Sequence, residues 1–235
     1  MLSDMDAPPD TVEERDLIDR FHVLWHEQHG RDTWRSTSWL GTQVQQCPLD
    51  LWIYHELLVA VRPQVFVEAG VKRGGLTRFV ADVLRLDRGR RGWRVVGVDL
   101  NPRHAERAVR FRRQVSLIGG DSTDPDVFRR VARKCKGKTT MVLLDSDHRA
   151  AHVRREMELY APLVSPGSYL IVNDTNINGH PSVVGNKGRG PGPFEAVEDF
   201  LVEHPEFERD ERCERYLLTL NPKGYLRRRE STVRS

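Results

Sequence analysis

The sequence predicts an α/β fold, a doubly wound and mostly parallel sheet with helices on both faces and an antiparallel hairpin at its C-terminal end. Three observations predict it. From residue 65 onward, short and nearly continuous apolar runs alternate with amphipathic stretches, the pattern of strands buried on both faces. The runs end in a carboxylate or a glycine, at Glu68–Gly70, Asp99, Gly119–Asp121, Asp145 and Asn173–Asp174. In a doubly wound sheet those strand ends are where ligands bind. Finally, the last two apolar runs follow one another with no helix between them, as a hairpin requires.

The elements follow in order. Val12 to His29 carries Leu17, Ile18, Phe21, Leu24 and Trp25 at helical spacing, which predicts one apolar face. Residues 31–37 are polar and without period. Leu49 to Val61 reads as a second helix, ending ahead of Pro63. Strands are then predicted at 65–68, 95–99, 115–118, 140–145 and 169–172. Helices are predicted at 76–86, 105–112, 126–134, 150–160 and 194–203. Phe207–Asp210 and Tyr216–Leu220 are the expected terminal hairpin. The chain thus divides into an N-terminal helical extension over 1–45, a catalytic domain over 46–228 and a basic tail over 229–235. Residues 178–193 hold five glycines and three prolines. That stretch is too long for an ordinary connection and is expected to be a mobile substrate loop or lid.

Composition narrows the function classes. The chain has 235 residues, 38% hydrophobic and 30% charged, and 37 basic against 34 acidic side chains give a net charge of +3. No apolar run reaches the roughly 18–20 residues of a membrane span, and residues 1–10 lack the basic and apolar regions of a signal peptide. No membrane association is expected. The arginine runs are interleaved with acids and accompanied by no nucleic-acid motif, so no nucleic-acid partner is expected either. Three cysteines, Cys47, Cys135 and Cys213, lie far apart and form neither a disulfide framework nor a C-x-x-C site, which fits a reduced cytoplasm. The apolar faces at 12–29 and 49–61 exceed what the minimal fold needs, and a homo-oligomer is expected.

The strand ends divide into two halves of a site. In E-A-G-V-K-R-G-G (68–75) the glycines Gly70, Gly74 and Gly75 permit a sharp turn and a close approach to a ligand. Asp99, ending the second strand, is placed to accept hydrogen bonds from a ribose diol, and Asp121 ends the third strand where adenine would lie. NAD, FAD and S-adenosylmethionine all carry adenosine. The G-x-G-x-x-G that cradles a pyrophosphate is absent, which favours S-adenosylmethionine, whose ammonium suits Glu68. In the other half, Asp145 of D-S-D-H (145–148) and Asp174 of N-D-T-N (173–176) fall on neighbouring strands. Two carboxylates with an amide oxygen from Asn173 suit Mg²⁺. His148, three residues beyond Asp145 and expected one helical turn from it, has the side chain of a general base at neutral pH. His148 and His152 are spaced as zinc ligands on a helix, but no third close His or Cys completes such a site. D-S-D also matches the D-x-D of metal-dependent glycosyltransferases.

Several stretches together are similar to the cephalosporin hydroxylase family, which includes the cephamycin 7α-methoxylation proteins, and to the related macrolide-sugar O-methyltransferases. They are Q-Q-C-P-L-D-L-W (45–52), E-A-G-V-K-R-G-G, G-D-S-T-D-P (120–125), L-D-S-D-H (144–148), Y-A-P-L-V (160–164), N-D-T-N-I-N-G-H-P (173–181), G-P-G-P-F-E-A-V (190–197) and L-L-T-L-N-P-K-G-Y-L-R-R (217–228). The resemblance implies a Rossmann-like methyltransferase fold and a Mg²⁺-assisted, S-adenosylmethionine-dependent O-methyltransferase acting on a hydroxyl of a glycosylated natural product. It implies Asp145 and Asp174 as metal ligands, His148 as base, and Glu68, Gly70, Asp99 and Asp121 as cofactor contacts. Where the family commonly has Glu, this chain has Asn173, which removes a charge from the metal site. A cofactor-binding partner of a separate oxygenase, in antibiotic methoxylation, is the alternative that the family name keeps open.

Overall fold

The computed structural model describes residues 11–26, 33–89, 91–109, 112–178, 180 and 190–230. Most of the expected loop at 178–193 and of the basic tail lies outside the described residues, as does the predicted end of the first helix beyond His26.

Seven strands form the main sheet in the order β5-β4-β3-β6-β7-β9-β8. Strands β3 (Val65–Ala69), β4 (Arg94–Asp99), β5 (Val115–Gly119), β6 (Thr140–Leu144) and β7 (Tyr169–Val172) run parallel. Helices α3 (Gly75–Arg88), α4 (Arg103–Val109), α5 (Pro125–Cys135) and α6 (Ala150–Tyr160) follow the first four in turn. The winding reverses between β3 and β6, so the ends of those two strands meet at the switch point.

The strands alternate faces despite their uniformly apolar sequences. Val65, Val67, Val142, Leu144, Leu170 and Val172 join one core with Val127 and Val131 of α5, Met157 of α6 and Phe200 of α7 (Pro193–Glu203). Phe66, Met141, Leu143, Tyr169 and Ile171 face the other core, built on α3 and on α2 (Pro48–Val61). This parity decides where the site residues point.

Two expectations at the chain ends are corrected. The terminal hairpin pairs β8 (Phe207–Arg209) not with residues 216–220 but with β9 (Tyr225–Arg228), which also joins β7 antiparallel. Residues 216–220 fill space instead. Leu218 and Leu220 pack on Cys47, while Thr219 Oγ1 and the Leu220 N–H both donate to the buried carboxylate of Asp50. At the other end, α1 (Val12–His26) leaves Leu17, Phe21 and Leu24 exposed, and His22 is its buried residue. Between the polar stretch and α2 lies a small hairpin, β1 (Ser38–Trp39) with β2 (Thr42–Gln43), whose Trp39 packs edge-on to Phe79 of α3. Among the described residues no helix is long and apolar enough to cross a membrane.

Candidate active site at the switch point

Gly70 turns the chain off β3 at φ +90°, and a Cβ there would sit 1.9 Å from the Asp145 carbonyl oxygen. The two strand exits cross at contact distance, so this position tolerates only glycine. Its neighbours differ in role. Gly74 is the left-handed N-cap of α3 and abuts Ala105, while Gly75 abuts the Gln43 carbonyl. Gly74 therefore lies away from the cleft expected to hold a cofactor; its glycine serves helix packing.

That cleft, of about 210 Å³, opens over the ends of β3, β4, β5 and β6, with Gly70, Asp99, Leu100, Asp121, Ser122 and His152 among its walls. Asp99 accepts the backbone N–H of Lys72 (2.8 Å) and of Asn101 (2.8 Å), so it braces the glycine turn as well as facing the cleft. Asp121 accepts from the Thr123 hydroxyl and N–H, both at 2.7 Å, which hold its carboxyl below the usual range. Leu100 presents an exposed apolar side chain at the same rim. Acid, glycine turn and apolar cover are what a nucleoside needs. Glu68 stands behind the cleft wall rather than on it. It shares the α3 face of the sheet with Phe66, is 1% exposed, and accepts from Thr77 Oγ1 at 2.5 Å. Burial pushes its carboxyl up to about 8. A larger groove of about 1190 Å³ lies elsewhere, among α5, residues 136–139 and 162–166 and Arg228; it is far from every strand end that carries an acid.

The second half of the site is a cluster of Asp145, His148 and Asp174, with one ligand atom of each within 4.8 Å of the others. His148 Nε2 lies 3.4 Å from Asp174 Oδ2. His148 is not on a helix, as expected, but in the loop ahead of α6, which begins at Ala150. Asp174 adopts φ +56° and is fixed there by its N–H donating to Asn221 Oδ1 at 3.0 Å. Burial, then the Asp174 charge, push the Asp145 carboxyl well above the ordinary range. Two carboxylates crowded together and flanked by an imidazole form a donor set that a divalent cation would relieve, and Mg²⁺ takes such a pair with waters completing its shell.

Asn173 is placed differently from the sequence expectation. Strand parity puts it with Tyr169 and Ile171 on the α2 face, 1% exposed. Its Oδ1 accepts from Tyr54 Oη (2.8 Å) and its Nδ2 donates to Gln46 Oε1 (3.0 Å). Gln46 Nε2 in turn donates to Asp145 Oδ2 (2.8 Å), and Asn221 Nδ2 donates to Tyr54 Oη (2.7 Å). Asn173 thus belongs to a buried chain of amides that orients Asp145, and its oxygen accepts the Tyr54 hydroxyl. A carboxylate in its place would face Gln46 Oε1, an acceptor. Sequence reasoning gave no role to Gln46, Tyr54 or Asn221, although Gln46 and Asn221 lie in quoted motifs.

Two alternative motif readings separate in space. Asp147 turns from Asp145 to Arg149, whose guanidinium holds its carboxyl down at about 2. D-S-D therefore does not present a pair of acids to one ligand. His152 lies not with His148 but against Ser122, Ser146 and Glu156, which removes the zinc pair.

The family described as Rhamnosyl O-methyltransferase/CmcI matches residues 31–229. The rhamnosyl O-methyltransferase of Mycobacterium tuberculosis (strain H37Rv) is 34% identical over 216 residues, covering 90% of this chain and 85% of that protein. The one from Mycobacterium leprae is 32% identical over 218 residues, covering 91% of each. A CmcI structure with Mg and SAM superposes with a TM-score of 0.64 at 19% identity, covering 95% of this chain and 87% of that one. The O-methyltransferase TomG of Streptomyces achromogenes, in complex with SAM, gives 0.55 at 15% identity, covering 89% and 84%. These two establish the fold, that of Rossmann-like methyltransferases. By the extent of the family match and the identity to its members, the chain belongs to the rhamnosyl O-methyltransferase/CmcI family.

Proposed function

We propose that the protein transfers the methyl group of S-adenosylmethionine to a hydroxyl of a sugar, rhamnose or a similar deoxysugar, on a small natural product, with Mg²⁺ at the acid pair. The observation that carries this reading is the Asp145–His148–Asp174 cluster standing beside a cleft walled by Asp99 and Asp121, at one end of one sheet. The name shared by the mycobacterial relatives supports the sugar as acceptor.

When bound, S-adenosylmethionine supplies an electrophilic methyl group and Mg²⁺ supplies Lewis acidity at the acceptor hydroxyl. Asp145 and Asp174 would hold the metal, and Asp99 and Asp121 the nucleoside, while Glu68 stays behind the cleft wall on Thr77. His148 takes the hydroxyl proton at Nε2, and the Asp174 carboxylate, 3.4 Å away, steadies the imidazolium that results. Gln46, fixed by Asn173 and Tyr54, keeps Asp145 in one orientation, so little reorganisation remains for the reacting geometry. Helix α1 serves as an extension on the acceptor side, its His22 lying 3.0 Å from Asn176. The exposed Leu17, Phe21 and Leu24 of α1 and Trp52 of α2 support assembly as a homo-oligomer. Three free buried cysteines fit a reducing cytoplasm.

The test is mass spectrometry of rhamnosylated natural products after incubation with protein, S-adenosylmethionine and Mg²⁺. A product heavier by one methyl, located on the sugar by fragmentation, is expected. Consumption of cofactor with the methyl on the aglycone would overturn the sugar assignment.

A further inference from the structure

The larger groove lies at the edge of the sheet opposite the acids. It is walled by α5, by residues 136–139 ahead of β6 and by residues 162–166 ahead of β7. The length of a strand, about 16 Å, separates it from the strand ends that lead to Asp145 and Asp174. Its walls are held rigidly. The Arg228 guanidinium donates to the Val164 carbonyl at 2.6 Å, and Ser165 Oγ accepts the Thr140 N–H at 3.0 Å. The turn over 162–166 is thereby pinned to both β9 and β6. A hollow of about 1190 Å³ between such walls is preformed and large enough for a small ligand.

Charge and apolarity are segregated within it. Cys135 and Val164 are buried in its walls beside Ala132 and Leu163, while Arg130, Arg133, Lys136 and Lys138 stand exposed around it. None of these four cations has an acidic partner among the described residues, and the one acid in the lining, Asp126, is paired with Arg129. Elsewhere the surface is laced with ion pairs: Arg112, Arg149, Arg154, Arg209, Arg212 and Arg215 each bind a carboxylate. The end of α5 explains part of the excess, since cations in a last turn complement the helix dipole. That end carries only about half a negative charge, which Arg133 and Lys134 already exceed. Arg130, a turn earlier, and Lys136 and Lys138, past the helix, add to the surplus. The crowding is felt at Lys134, in an adjoining hollow that Arg130 and Arg133 also line. Burial, then the charges of Arg94, Arg130 and Arg133, hold its ammonium below the ordinary pKa.

Like charges gathered around an apolar hollow are relieved by an anion that brings an apolar part of its own. A phosphate ester suits the cations, which donate charge-assisted hydrogen bonds to its oxygens. Nucleic acid suits the groove less well, because no aromatic side chain lines it for a base to stack on. We propose that this groove binds a phosphorylated amphiphile, a phosphate ester of an alkyl or prenyl chain, with the cationic rim on the phosphate and the chain along Leu163 and Val164. The site is separate from the methyl-transfer site and does not rest on its assignment. A bilayer lipid and a soluble ester offer the same chemistry.

Calorimetric titration of the full chain with octyl phosphate, below its micelle concentration, tests the site against inorganic phosphate and octyl glucoside. Octyl phosphate should bind, and inorganic phosphate should bind at least about tenfold more weakly, since two buried methylenes are already worth that. Octyl glucoside should not bind. Arg133→Gln with Lys136→Gln should weaken octyl phosphate at least about tenfold, the worth of a lost charge-assisted hydrogen bond. Arg85→Gln with Arg103→Gln, exposed cations on α3 and α4, removes the same net charge and should change nothing. Equal losses in the two double variants, or octyl phosphate binding no better than inorganic phosphate or octyl glucoside, would overturn the proposal. Duplex DNA bound more tightly than octyl phosphate and released by Arg133→Gln with Lys136→Gln would overturn it in favour of a nucleic-acid face. Given octyl phosphate binding, sedimentation with vesicles containing phosphatidic acid, but not with phosphatidylcholine alone, assigns a bilayer lipid; no sedimentation with either assigns a soluble ester.

Discussion

Replacing Glu68 by Gln should stabilise the protein, and increasingly so as pH rises toward neutrality. The carboxyl is 1% exposed with one hydroxyl donor, and burial, opposed by the Thr77 hydrogen bond, takes its pKa from the ordinary 4.5 to about 8. The folded state therefore retains a proton that the unfolded chain has released, so stability is full below about pH 4.5 and declines as pH rises toward about 8. Each pH unit in that window costs up to about 1.4 kcal/mol. At about pH 7.5 the ceiling is about 4 kcal/mol. A buried amide that keeps the Thr77 contact but adds an unpaired N–H returns about 1–3 kcal/mol of that. A net gain of about 2 kcal/mol would raise Tm by about 4–8 °C in a chain of this size. Thermal melts of wild type and Glu68→Gln at about pH 5 and about pH 7.5 should show the gap opening only at the higher pH. Asp50, pushed up to about 6 by burial, slopes both proteins alike and cancels in the difference. A gap that is the same at both pH values would refute the reasoning, since it would mean that Glu68 is ionised in the folded protein.

Other outcomes follow from the same geometry. Asp99→Asn should weaken S-adenosylhomocysteine by about 1–3 kcal/mol in calorimetry, and unchanged affinity in a folded variant would remove Asp99 from the site. Tyr54→Phe leaves Asn173 Oδ1 without its hydroxyl donor and Asn221 Nδ2 with Tyr225 Oη alone; a loss of about 1–3 kcal/mol in denaturant melts is expected. Phe21→Glu, on the exposed face of α1, should lower the mass seen by light scattering if that face joins two copies. An unchanged mass would place the interface elsewhere.

The strand ends were legible because a parallel sheet buried on both faces writes its strands as apolar runs, and the residue that breaks each run is the one at the ligand edge. Asp99, Asp121, Asp145 and Asp174 were found in that way. The direction of a side chain beyond the strand was not legible. Asn173 and Asp174 are adjacent, and only the parity of β7 and the left-handed turn at Asp174 send one into the core and the other to the cluster. The amide chain from Gln46 to Asn173 joins residues 127 positions apart, a pairing that no local spacing encodes. Strand β9 was missed because Arg227 and Arg228 interrupt its apolar run, whereas residues 216–220 look like a strand and are instead drawn to Asp50. His152 had a signal, its spacing from His148, but the pattern suggested a metal where the fold supplies a serine pair and a buried glutamate.

The central claim is that Asp145, His148 and Asp174 together activate a sugar hydroxyl beside the cofactor cleft. It is tested most directly by the rate of methyl transfer from labelled S-adenosylmethionine to an aryl rhamnoside, with Mg²⁺ or with chelator, for wild type, Asp174→Ala and His148→Ala. The account predicts transfer that chelator abolishes, Asp174→Ala as inactive as chelated wild type, and His148→Ala slower by about 10²–10⁴ with calorimetric affinity for S-adenosylhomocysteine preserved. Transfer indifferent to chelator and to Asp174→Ala, or at wild-type rate in His148→Ala, would contradict it.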